Sequence, residues 1–128
     1  MKKIIIIMLM IPIFSYAKNW NRVINAIAKV ESENNAKAIG SGNSVGLLQI
    51  RPILVEDCNK ILRRKKSSKR FILKDRFCPI KSKEMFVIYQ QHYNPESDVE
   101  KAIRLWNGGP NFTKAGTQEY FKKVKSKL

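Results

Sequence analysis

Glu31 stands where a folding argument would place an aliphatic side chain. At about 100 degrees per residue, Trp20, Ile24, Ile27 and Ala28 form one apolar stripe, and Glu31 falls in its middle. Burial favours the neutral form of a carboxyl group, and so does a place near the negative C-terminal end of a helix. A glutamate so placed titrates high enough to donate a proton near neutrality. Glu33, two residues on, points the opposite way. A glutamate held in the core by an Arg or Lys partner is the other reading of the same position.

Two further segments are hard to explain by packing alone. In Gly46-Leu47-Leu48-Gln49-Ile50 an amide lies between aliphatics and needs a partner such as a sugar acetamido or hydroxyl group. In Trp106-Asn107-Gly108-Gly109-Pro110 a flat apolar ring suited to a sugar face precedes an amide. Asn107 also fits a simple helix-ending role. Together with Glu31-Ser32 these segments describe a cleft with one acid, two amides and an aromatic wall.

Helical periodicity recurs along the chain and strand alternation hardly appears, so the expected fold class is mainly α. A first helix is expected over Asn19 to Ser32. Asn34 to Arg51, with Gly40, Gly42 and Gly46, reads as a loop or short β-ribbon. Pro52 suits the first turn of a second helix with Leu54, Cys58, Ile61 and Leu62 inward. The basic run Arg63 to Arg70 reads as an exposed loop. Pro79 breaks any helix in the ambiguous stretch from Phe71. A third helix from about Ser82 to Tyr93 presents Met85, Ile88, Tyr89 and His92. Ser97 and Glu100 form a capping box for a fourth, with Val99, Ala102, Ile103 and Trp106 inward. Gly108 and Gly109 stop it. A last helix from about Thr117 carries Tyr120, Phe121, Val124 and Leu128 on one face.

The chain opens with Lys2 and Lys3, an apolar run from Ile4 to Phe14, and Ser15-Tyr16-Ala17. This is the pattern of a secretory signal peptide over residues 1–17, with one domain over 18–128. The run is short for a permanent membrane span and Pro12 interrupts it, so an uncleaved anchor is the lesser reading. The expected location is therefore exported, periplasmic or extracellular. Removing Lys2 and Lys3 lowers the formal charge from +15 to +13. Such a domain seeks anionic wall or envelope polymers. Nucleic acid is disfavoured, because Arg63 to Arg70 lacks interleaved aromatics. Cys58 and Cys78 are expected to pair in an oxidising compartment, stabilising the fold by about 3 kcal/mol, with two buried free thiols as the alternative. One histidine and two distant cysteines make no zinc set, so no metal and no cofactor is expected.

The order ES, then GLLQI, then NGGP resembles the catalytic domain of the soluble lytic transglycosylase family, lysozyme-like enzymes that cleave peptidoglycan. Glu31 and Gln49 are 18 residues apart, which matches the interval between the family's acid and its glutamine. The resemblance runs from Ala26 to about Val124 and is weak from Asp57 to Tyr93. It implies a lysozyme-like helical domain, Glu31 as the catalytic residue, and Ser32, Ser41, Leu48, Gln49, Tyr89, Trp106 and Asn107 as substrate-binding positions. There are departures. Leu48 replaces the methionine of the GLMQ-type motif. Gly40 stands where the family often has serine, with Ser41 beside it. Trp106 replaces the tyrosine of AYNAGP and lacks its hydroxyl, for which Tyr89 is the favoured substitute and Tyr93 the second.

Cleavage of a glycosidic bond ordinarily uses two carboxylates. After Glu33 there is no acid until Glu56, so the segment carrying Gln49 offers no second one. The resemblance implies that Glu31 acts twice, as acid and then base, leaving an anhydro-muramic acid end on a glycan strand of peptidoglycan. A muramidase would need another carboxylate, with Asp57 or Asp75 the candidates. A cationic wall-binding module without catalysis is the reading from a different class.

Overall fold

The computed structural model describes residues 19–128, and the signal segment expected over residues 1–17 lies outside them. Among the described residues five α-helices account for the architecture: α1 (Asn21–Ser32), α2 (Pro52–Arg64), α3 (Pro79–Tyr93), α4 (Val99–Gly108) and α5 (Lys114–Lys125). The mainly α, lysozyme-like class is borne out. Among the described residues no helix is long and apolar enough to cross a membrane.

α1 buries Val23, Ile24, Ala26, Ile27 and Ala28, the stripe expected from its period. Trp20 precedes the helix and is buried edge-on against Phe86 of α3, with ring centroids 5.7 Å apart. The helix ends on Glu33 in the left-handed conformation at φ 54°, which turns that side chain to solvent.

The glycine-containing segment is a minimal β-ribbon. Val45 makes isolated antiparallel bridges to both Ile39 and Ile50. Gly46 is obligatory at its turn: φ is +82°, and a Cβ there would stand 1.9 Å from the Arg76 carbonyl oxygen. Arg76 is buried and fastens the ribbon, donating from Nη1 to the carbonyls of Asn43 (2.8 Å) and Ile50 (3.1 Å).

The remaining helices differ in detail from their expected bounds. α3 starts at Pro79, ahead of the expected Ser82, because the missing N–H of proline costs nothing in a first turn. A 3-10 turn, Leu73–Phe77, leads into it. On α3 the inward set is Met85, Phe86, Tyr89 and Gln90, while His92 is exposed against the Tyr93 ring. The cap of α4 is Asp98 in place of the expected Ser97, and its carboxylate accepts from the Lys101 N–H at 2.8 Å. α5 begins a turn early because Thr113 caps it through the Gly116 N–H.

The expected disulfide is absent: Cys58 and Cys78 are both free. Cys58 is turned into the core, its thiol 3.5 Å from the Met85 carbonyl oxygen. Cys78 sits at the N-cap of α3, seven residues before Met85. That is about 10 Å along a helix, beyond the reach of a bridge. Burial, then the Asp57 charge, pushes the Cys58 thiol up to about 12, which keeps it unreactive.

Arg104 joins the last two helices. It is buried in α4 and donates to the Lys114 carbonyl (2.9 Å), the Thr117 hydroxyl (3.0 Å) and Gln118 Oε1 (2.7 Å), with its guanidinium over the Phe121 ring. α5 is thereby held against α4, and it also packs on α1. That second contact brings the end of the chain to Glu31.

Candidate active site

A cleft of about 760 Å³ is lined by Val30 and Glu31 of α1, by Ser41, Ser44, Gln49, Ile50 and Arg51 of the ribbon, and by Ile53, Leu54, Glu56, Asp57 and Lys60 of α2. Tyr89 and the segment Trp106 to Pro110 close the remaining side. Of the eight residues expected at the site, Glu31, Ser41, Gln49, Tyr89, Trp106 and Asn107 are brought together here.

Glu31 is half-buried. Its carboxyl is held above the ordinary carboxylate range by burial, against the opposing pull of the Tyr120 hydroxyl and the Arg51 charge. The alternative of a core glutamate neutralised by a cation is thus only weakly represented: Arg51 is near, but desolvation outweighs it.

Tyr120 is the residue that sequence reasoning missed. Its hydroxyl oxygen is out of solvent and closes no hydrogen bond of ordinary length and angle. Yet it faces Glu31 closely enough that each shifts the other: the hydroxyl lowers the carboxyl's proton affinity as a donor, and the carboxyl, after burial, raises that of the phenol. The phenolic group beside the acid thus comes from α5. Tyr89, favoured from sequence for that part, packs instead against Trp106 and Tyr93, with centroids at 5.9 and 4.8 Å.

Gln49 takes a left-handed backbone, φ 52°, that turns its side chain back over the ribbon. Its Nε2 donates to the carbonyls of Gly46 (3.0 Å) and Ala38 (3.3 Å). Its Oε1 lies over Gly40, where a Cβ would come within 2.1 Å of it. The departure at Gly40 thus makes room for the amide. Arg51 is braced by its Nε donating to the Ser44 hydroxyl at 3.2 Å.

Two expected residues are not brought to the cleft. Ser32 does not line the cleft; its hydroxyl donates to the Leu47 carbonyl (2.7 Å) and to that of Ala28 (3.1 Å), tying the end of α1 to the ribbon. Leu48 is fully buried in the core, and only its carbonyl serves the site, accepting from Trp106 Nε1 at 3.2 Å. Trp106 is in this way pinned between the ribbon and Phe86, with one edge left to the cleft.

The carboxylates lining the cleft are Glu31, Glu56 and Asp57. Glu56 pairs with Lys60 at 3.5 Å, and Asp57 accepts from the Tyr93 hydroxyl at 2.6 Å. Asp75 lies elsewhere and accepts from the Ile72 N–H. Among the described residues no group of His, Cys, Asp and Glu is placed to hold a metal ion.

An acid with raised proton affinity, a glutamine and an aromatic wall share one cleft, an arrangement able to donate a proton to a bound ligand. No curated protein is similar enough to this chain to count as a match. The model of the Transglycosylase SLT domain matches residues 14–128, nearly the whole chain. With the ES, GLLQI and NGGP segments meeting around one cleft, the chain belongs to the SLT transglycosylase family, the lysozyme-like domains that process peptidoglycan.

Proposed function

We propose that this protein is an exported lytic transglycosylase that cleaves the β-1,4 bond between N-acetylmuramic acid and N-acetylglucosamine. The observation that carries the reading is the desolvated Glu31 carboxyl, coupled to a buried phenol, in a cleft whose ribbon wall bears no acid.

Glu31 gives its proton to the oxygen linking the two sugars, and the bond from that oxygen to muramic C1 breaks. The muramic C6 hydroxyl then attacks C1, and its proton passes to the carboxylate. One group is acid and then base, no water is consumed, and the new end is an anhydro sugar. The Tyr120 hydroxyl is suited to the interval between the two transfers, because a donor stabilises a carboxylate more than a carboxylic acid. Gln49, Asn107 and the Trp106 edge hold the glycan so that its own hydroxyl is the nearest nucleophile.

Glu31→Gln abolishes release of soluble fragments from purified sacculi while leaving a folded protein; undiminished release would remove the assignment. A hydrolytic reading is kept by one observation, that Asp57 lines the same cleft. In that case Asp57→Asn would be as damaging as Glu31→Gln, whereas under the proposed mechanism it retains most of the activity. A module that binds the wall without cutting it would hold sacculi in a salt-sensitive manner and release nothing.

A further inference from the structure

Between Arg63 and Glu84 the chain carries ten basic residues and two acidic ones, a net +8 of its formal +15. Arg76 alone among the ten is buried and spent on backbone carbonyls. Both acids are engaged, Asp75 with the Ile72 N–H and Glu84 with Lys69. The positive charge of this stretch is therefore left to solvent.

The same stretch turns large apolar side chains outward. Ile72, Leu73, Phe77 and Ile80 are 61%, 49%, 39% and 70% exposed, and none of them lines the cleft. They come from the 3-10 turn and the first turn of α3, which are joined by the Cys78 N–H to the Asp75 carbonyl and the Ser82 hydroxyl to the Arg76 carbonyl. Ile80 continues into a shallow, largely apolar groove with Ile24 and Val87, and Lys69 and Lys83 line it too. Asn19 also lines this groove.

A polyanion in water would use the lysines and leave the apolar side chains hydrated. Lone exposed apolar side chains are ordinary on a surface, but four within nine residues, flanked by this density of cations, are not. A bilayer surface satisfies both parts at once. Apolar side chains enter the boundary between headgroups and acyl chains, and lysines and arginines stay among anionic headgroups. We infer that this face docks on the surface of an anionic phospholipid bilayer, leaving the glycan cleft open. Docking of this kind is independent of the reaction assigned to the cleft.

The test is co-sedimentation with vesicles, using the chain from Lys18, which contains every residue of the core. Vesicles of phosphatidylglycerol and phosphatidylcholine are compared with phosphatidylcholine alone. The account predicts binding to the first and little to the second. Changing Ile72, Leu73, Phe77 and Ile80 together to Ser weakens binding by about tenfold or more. Changing Arg63, Lys65, Lys66 and Arg70 together to Gln weakens it by about a hundredfold. Circular dichroism and sacculus degradation, unchanged in both variants, show that fold and cleft are intact. Equal binding to neutral vesicles, no binding to either, or binding that the Ser variant retains in full overturns the proposal. The last result would leave unspecific charge attraction, of the kind a wall polymer also provides.

Discussion

The buried hydroxyl of Tyr120, on the last helix, faces the carboxyl of Glu31 at the end of the first. The contact depends on α5 lying across α1, which Arg104 secures by binding α5 through three separate groups. A helix outside the ES, GLLQI and NGGP segments thus moderates the proton affinity that burial raises.

Tyr120→Phe removes a group that lowers the Glu31 pKa, so that pKa rises further. The proposed first step needs the protonated acid, and the descending limb of the pH profile of kcat/KM moves to higher pH. The ionised acid also loses its donor, and kcat falls by about tenfold. If the phenol only fills space, the variant loses stability and the limb stays where it is.

Glu31 also leaves a signature in stability. Its folded-state pKa is raised, so folding favours the protonated carboxyl. For an acid of that kind the stabilisation is complete below the unfolded value and is lost as pH rises through the folded one. Glu31→Gln should accordingly match the parent at pH 4 and melt higher at pH 8, by about 2 to 5 °C. Thermal unfolding across that range checks it. A variant less stable by the same margin at both values would mean that Glu31 is a structural partner of a cation.

Gly40→Ala tests the bracing of Gln49. The added Cβ would stand 2.1 Å from Oε1, and the flexible amide moves in preference to the ribbon. Sacculus degradation is expected to fall by about tenfold, with no more than about 1 kcal/mol lost in stability. Added to Gln49→Ala, the same substitution should do little further harm, because both act through one side chain. Additive losses would show that Gly40 matters to the glycan by some other contact.

The legible parts of this molecule were those encoded in local spacing. Glu31 shows itself because the stripe of α1 is strongly periodic, and Gln49 and Trp106 because each sits in a short motif. Ser32 and Leu48, read as site positions from the motifs in which they stand, lie outside the cleft, because adjacency in sequence is not adjacency in space. Neighbours on a helix point about 100 degrees apart, and neighbours on a ribbon face opposite sides. Tyr120 read as one more apolar position beside Phe121 and Val124; only the packing of α5 on α1, a long-range fact, reveals it. Its nearest sequence signal is a phenol on a helix that otherwise offers Phe and Val, at a point where the motif region has lost its own. Cys58 and Cys78 misled for the same reason, since two cysteines in one chain say nothing of the helix that separates them.

The central claim is that Glu31 works without a second carboxylate, and the reaction products test it most directly. Sacculi digested in water enriched in heavy oxygen, with the fragments analysed by mass spectrometry, should yield muramic acid ends lighter by one water than reducing ends and free of the label. Reducing muramic acid ends that carry heavy oxygen would contradict the account and transfer the second role to Asp57.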